Sequence, residues 1–239
     1  MRASVQAGFL GFTRAFEGDL PFMYLDVKGL VTIGFGDLVD SQNAVRFLPF
    51  RHKRDGTPAT QWEIANEWLK VKNAQSMMRL GGGAFAALTG LYLDDAGIQG
   101  VVAGRLALDE ATLRRRFPAY DSWPADAQLG TLSCAWAAGA GWACPKFTAA
   151  VNALEPGFQV AAGPVPGASG DLDPGARGEA WLEDNHKPGP NPANPGLHPR
   201  NLANQVLFGN AARIVESPGT YDPERLYWPQ HLTLTPAGP

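Results

Sequence analysis

Two carboxylates nine positions apart, Glu17 and Asp26, flank a Gly-containing stretch that reaches Thr32 six positions further on. One acid can protonate a leaving oxygen, and a second carboxylate can activate water or support a developing cation. With a hydroxyl beside the second, these are the groups that cleave a glycosidic bond. Taken singly, a Glu at a helix end is most often a solvated cap, and an Asp shortly before a Gly is most often turn chemistry. The combined spacing raises the three residues above those ordinary roles.

The elements that must position them follow from local pattern. Val5, Phe9, Phe12 and Phe16 recur at helical spacing, which predicts an amphipathic helix over 4–17 with its aromatic stripe on the core. Glu17 closes that helix and Gly18 suits its end. Beyond a break at Pro21, residues 22–25 and 30–33 are short β-prone runs. Asp26, Val27, Lys28 and Gly29 lie between them with the Asp and Gly of a tight turn. Alternation puts Leu30, Thr32 and Gly34 on one face and Val31, Ile33 and Phe35 on the other. A hairpin folded back over the helix end would set Thr32 beside Asp26 and turn both toward Glu17. Among Phe16, Phe22 and Tyr24 a carboxyl at 17 is expected to titrate high, as a general acid requires, while Asp26 in its hydrated turn stays ionised.

Glu17-Gly18, followed by Tyr24-Leu25-Asp26-Val27-Lys28-Gly29-Leu30-Val31-Thr32-Ile33-Gly34-Phe35-Gly36, resembles the signature of the phage-type lysozymes, glycoside hydrolase family 24. That family keeps the same intervals from Glu to Asp and from Asp to Thr. Residues 117–141, with Gln128, Leu132, Ser133 and the later Gly139 and Gly141, are similar to the family's buried central helix and the Gly-rich loop after it. The resemblance implies an α+β, mainly α, lysozyme-like fold with a small N-terminal β-hairpin lobe and a larger helical lobe. It implies Glu17 as general acid, and Asp26 with Thr32 as the groups that hold the attacking water, with inversion at the anomeric carbon. It implies Tyr24 and Gly36 on the substrate side, and Arg200, near the start of a late helix, as a residue carried toward the cleft. The family usually continues Gly-x-Gly-His, whereas this chain has Asp37. The expectation is that Asp37 finds a different partner, an Arg.

Composition bounds the alternatives. The 20 Lys and Arg against 23 Asp and Glu leave a net charge of −3, so no global basic field draws the chain to nucleic acid. The basic runs Arg51-His52-Lys53-Arg54 and Arg114-Arg115-Arg116 read as solvated surface, with the first a candidate for touching wall polymer. No run reaches the roughly 20 apolar residues of a membrane span. The N-terminus lacks the pattern of a signal peptide. A holin or an injection machine would then be the expected route from the cytoplasm to the wall, with an immunity protein a further partner of that route. The four His, at 52, 186, 198 and 231, have no metal-ligand spacing, and neither a metal nor a cofactor is expected. Cys134 and Cys144 read as buried free thiols, with a disulfide as the alternative. Nothing calls for an oligomer.

Along the rest of the chain, 38–60 reads as irregular, and Thr60 starts a helix to about 80 that would link the hairpin lobe (1–60) to the helical lobe (84–216). Gly81 to Gly83 break it. Short helices are expected at 94–106 and 109–116, a central helix at 125–138 and a final one at 199–216, followed by a tail from 217. Residues 155–200 hold nine of the twenty Pro and read as a long loop, one or two turns of helix at 178–185 aside. A loop of that length in a compact domain is expected to serve function, here at one rim of the cleft. The leading functional expectation is a bacteriolytic muramidase acting on the β-1,4 bond between N-acetylmuramic acid and N-acetylglucosamine in peptidoglycan strands. The alternatives are a lytic transglycosylase, in which Glu17 works alone and anhydro ends result, and a non-catalytic wall-binding or virion structural protein.

Overall fold

In the computed structural model, which describes residues 1–142, 145–152 and 197–232, Val5, Phe9 and Phe12 are fully buried along helix α1 (Ala3–Arg14). The helix stops three residues before the expected end. The Thr13 carbonyl accepts from both Phe16 N–H and Glu17 N–H at 3.0 Å, which closes a final turn outside the regular ladder. Glu17 therefore lies in the exit turn, where its side chain is no longer bound to the helical repeat.

Strands β1 (Leu20–Leu25), β2 (Val31–Gly34) and β3 (Asp37–Leu38) form an antiparallel sheet in that order. The hairpin expected from the turn sequence is present, with Tyr24 opposite Thr32 and Leu25 opposite Val31. Pro21 does not break the chain. It lies inside β1, where an irregularity in the register falls between Leu20 and Tyr24. An edge strand tolerates the missing donor, and the Pro21 carbonyl accepts from Leu93 N–H at 2.7 Å. The four residues of β2 are all buried, so both faces of the central strand meet packed side chains instead of one face meeting water.

The segment expected to be irregular carries structure that no local pattern announces. Ser41 caps the single turn α2 (Gln42–Val45), and β4 (Arg51–His52) pairs with β5 (Leu91–Tyr92), forty residues later in sequence. The Arg51–Asp94 ion pair at 2.8 Å lies beside that pairing. Thr60 caps α3 (Gln61–Asn73) in a capping box with Glu63, as its position suggested. The helix then tightens into 3₁₀ turns at Gln75–Leu80 before Gly81. Instead of two short helices, one helix, α4 (Asp95–Arg116), runs unbroken, with Asp94 Oδ1 accepting from Gly97 N–H at 2.9 Å. Asp109, where the second of those helices was expected to start, is interior, because no Gly or Pro between 105 and 116 obliges a stop.

The chain divides into two compact units, Thr13–Leu106 and Met1–Phe12 with Ala107–Pro239. The boundary thus falls inside α1 and α4. Helix α3, expected to link lobes, packs instead within the smaller unit against β1, β2 and α2.

In the larger unit, α5 (Ala125–Ala138) occupies the expected central position and is buried from Ala125 to Trp136. It packs against α7 (Leu197–Glu216), where Gly130 leaves the space that the Phe208 ring fills. Phe147, on α6 (Pro145–Asn152), joins Phe117 and Phe208 at centroid distances of 6.2 and 5.3 Å. Cys134 is buried, with Asn204 Nδ2 3.6 Å from its Sγ. Cys144, the 155–196 part of the long loop and its helical turn lie outside the described residues.

One buried acid holds the stretch around Tyr227 and Trp228 in this unit. Asp126 accepts from Asn210 Nδ2 at 2.8 Å and from the backbone N–H groups of Tyr227 and Trp228 at 2.9 and 3.1 Å. Trp228 in turn packs edge-on against Phe12 with centroids 4.9 Å apart. Burial raises the Asp126 pKa, and these donors pull it back only in part. An Asp126→Ala variant strands three donors in the interior. It is expected to lose about 3 kcal/mol or more of stability, read as a lower urea midpoint.

Candidate active site

The turn that carries Asp26 is built from its own backbone. Asp26 Oδ1 accepts from Lys28 N–H at 2.8 Å and Leu30 N–H at 2.9 Å, while Gly29 N–H donates to the Asp26 carbonyl at 3.0 Å. Both N–H bonds fall on the same oxygen, which leaves Oδ2 for another partner. Gly29 sits at φ +73°, and a Cβ there would come within 2.7 Å of Gln75 Oε1, so both conformation and space call for glycine. Thr32 follows on β2. It is buried, and its Oγ1 donates to the Leu30 carbonyl at 3.1 Å. Asp26 and Thr32 are thereby tied to opposite ends of one residue's peptide groups, and the Thr32 oxygen keeps its lone pairs to accept a hydrogen bond from elsewhere.

A clamp from α3 holds this hairpin in register. Lys72 Nζ donates to the Gly29 carbonyl at 3.0 Å and to both oxygens of Asp40 at 2.8 and 2.9 Å. Asp40 Oδ1 also accepts from Val31 N–H at 3.0 Å. Burial pushes the Asp40 carboxyl up, but the hydrogen bonds from Lys72 and Val31 and the Lys72 charge outweigh it and hold it below the ordinary range.

Glu17 approaches from the exit turn of α1. Gly36, at φ +85°, lies directly beneath it, since a Cβ on Gly36 would stand 3.7 Å from Glu17 Oε2. The Gly36 carbonyl accepts from Arg105 Nη1 on α4 at 3.2 Å. Asp37, the next residue, is buried and lies 3.9 Å from the same guanidinium nitrogen. An arginine is thus the neighbour of Asp37, as the sequence suggested, and it comes from a helix 68 positions away.

Tyr24 reports how these acids are arranged. Burial of its phenol, and then the charges of Glu17, Asp37 and Asp26, push its pKa up to about 12. One hydroxyl therefore stands in the field of three carboxylates, two of them the pair singled out by spacing. Gly82 gives the ring room, because a Cβ there would lie 2.8 Å from Tyr24 Cδ2.

No family model, curated protein or solved structure matches the chain. Its site is accordingly read from its own geometry. Glu17, Tyr24, Asp26, Thr32 and Gly36 all belong to the smaller unit. Arg200 belongs to the larger one, at 2% exposure, with Nη1 3.3 Å from Ser133 Oγ and 3.4 Å from the Ser133 carbonyl. Spacing missed Arg105 and the Asp40–Lys72 clamp, because neither carries a signal near the motif. Among the described residues no cluster of His, Cys, Asp and Glu is disposed to hold a metal ion, and no helix is long and apolar enough to cross a membrane.

The clamp makes a measurable claim. A folded-state pKa held low means that Asp40 adds stability above the ordinary Asp range and loses it on acidification. A Lys72→Met variant is expected to lose about 1–2 kcal/mol at pH 7 and to speed amide exchange at Leu30 and Val31. The difference from the unaltered chain should shrink as the pH falls below about 4, which urea titrations at several pH values would record.

Proposed function

We propose that the chain is a bacteriolytic muramidase that hydrolyses the β-1,4 bond between N-acetylmuramic acid and N-acetylglucosamine in peptidoglycan, on a lysozyme-like fold. What supports the reading is that Glu17 and Asp26 both act on Tyr24, which stands opposite Thr32 in the hairpin, and that Glu17 lies near Gly36. A mainly helical chain with small antiparallel sheets of three and two strands is compatible with that fold.

In this mechanism the protonated Glu17 gives its proton to the glycosidic oxygen as the C–O bond breaks. Asp26 takes a proton from water through Oδ2, the oxygen not engaged by Lys28 and Leu30 N–H, and Thr32 accepts a hydrogen bond from the same water. The water oxygen bonds to the anomeric carbon on the face opposite the departing sugar, which inverts that centre. The leaving sugar departs as a neutral alcohol, and the proton taken by Asp26 returns to solvent. Asp26 sits on a turn braced by four hydrogen bonds within the hairpin and by Lys72, so its geometry costs little reorganisation.

The test is digestion of purified sacculi with mass spectrometry of the released fragments. The unaltered chain is expected to yield muropeptides with reducing ends. Glu17→Gln should lower release by about 10²-fold or more while leaving the folded spectrum intact, and Asp26→Asn should be severely impaired. Anhydro ends would move the activity to transglycosylation. Undiminished release by Glu17→Gln would overturn the mechanism.

A further inference from the structure

We infer that Lys28 and Arg79, with Val27 and Leu80 beside them, form a subsite for the acidic stem peptides that peptidoglycan strands carry. The inference deepens the muramidase reading and rests on it, naming the part of that substrate held away from the scissile bond.

The hairpin turn is explained by Asp26 and Gly29 alone. Gly29 N–H donates to the Asp26 carbonyl at 3.0 Å, and Asp26 Oδ1 accepts from Lys28 N–H and Leu30 N–H. Gly29 supplies the left-handed φ of +73°. The two central residues, Val27 and Lys28, lend only their backbone. Val27 is 88% exposed and Lys28 is exposed, so neither side chain serves the packing of the turn.

The second pair comes from the 3₁₀ turns Gln75–Leu80. At their start Gln75 Oε1 lies 2.7 Å from the Cβ position of Gly29. Just past their end the Cβ position of Gly82 is 2.6 Å from Leu20 Cδ1 and 2.8 Å from Tyr24 Cδ2. Arg79 and Leu80 fall between these contacts, alongside β1, the strand that leads to the Asp26 turn. Arg79 is exposed, and Leu80 is 71% exposed.

The other cations of the smaller unit are already engaged. Arg14, Arg51, Arg54 and Lys72 pair with carboxylates, and Arg105, Lys53 and Lys70 donate to backbone carbonyls. Arg46 lies over the Phe47 ring at 5.0 Å. Lys28 Nζ and the Arg79 guanidinium have no partner among the described residues, so no internal bond must break before they take an anion. Each also has an exposed apolar neighbour in sequence. A phosphate polymer offers nothing for Val27 and Leu80 to cover. A peptide of alanines and free carboxylates offers methyl groups and anions together.

Because neither charged group holds the fold, Lys28→Met and Arg79→Gln are expected to fold as the unaltered chain does. The test uses sacculi free of teichoic acid, half of them with their carboxyls converted to methylamides by carbodiimide and excess methylamine. The readout is the initial rate of fragment release at limiting substrate. On untreated sacculi each variant should lose on the order of threefold and the double variant about tenfold, as for exposed ion pairs. On methylamidated sacculi the gap between the variants and the unaltered chain should close. Arg115→Gln, which removes an exposed cation of the larger unit, measures the effect of net charge alone.

Closure of the gap on the methylamides, with Arg115→Gln unchanged, sustains the inference. No gap, a gap of equal size on both substrates, or an equal loss in Arg115→Gln overturns it. A gap that appears only on walls bearing teichoic acid makes phosphate the ligand and also overturns it. Cosedimentation of the Glu17→Gln chain with both preparations, with and without the Lys28 and Arg79 substitutions, separates this inference from the proposed function. If the unaltered chain releases nothing, the muramidase reading falls, and carboxyl-dependent cosedimentation still decides whether Lys28 and Arg79 bind the stem peptides.

Discussion

The smaller unit depends on keeping several like charges close together. Glu17, Asp26, Asp37 and Asp40 come from 24 consecutive residues that fold onto one three-stranded sheet. Each must lose water in some degree, and each repels the others. The structure answers this differently at each position. Backbone N–H groups bind Asp26, Lys72 and a backbone N–H bind Asp40, and Arg105 stands beside Asp37. Two of these answers come from helices outside the sheet. The hairpin is therefore completed only when α3 and α4 are in place, and β3, with two residues, has little to hold it otherwise.

That dependence makes the site stiff where it needs to be. Lys72 fixes the turn through the Gly29 carbonyl, and Arg105 fixes the bend through the Gly36 carbonyl. Asp26 and Glu17 lie beside those two peptides. Their spacing is thus set by two long cationic side chains anchored on helices, instead of by the flexibility of the loops that carry them. Glycine appears at both peptides for steric reasons. At each the backbone is left-handed and a neighbour occupies the space of a Cβ or lies close to it.

The larger unit handles a buried acid by the opposite means. Asp126 is surrounded by neutral donors, one side-chain amide and two backbone N–H groups. Its cost is local desolvation, and its gain is the fixing of the C-terminal segment against α5. In the same unit α7 turns Arg200, Asn201, Asn204 and Gln205 inward. Arg200 reaches Ser133, and Asn204 Nδ2 lies 3.6 Å from Cys134 Sγ. The polar groups of this interface sit between helices, where each needs a partner within reach.

The residues alone contained the turn at Asp26–Gly29, the apolar stripe of α1, the Thr60 cap and both bounds of α5. Each rests on contacts within one turn of helix or one hairpin, so its cause lies within a few positions of its effect. The spacing of Glu17, Asp26 and Thr32 was legible for the same reason. The tertiary structure decided what depends on distant partners. It paired β4 with β5, joined 94–106 and 109–116 into one helix, and kept α3 inside the smaller unit. It also brought Lys72 to Asp40 across 32 positions and Arg105 to Asp37 across 68. A long-range ion pair leaves no period and no cap in the chain, only two ordinary charged residues, and its geometry exists once both elements have packed.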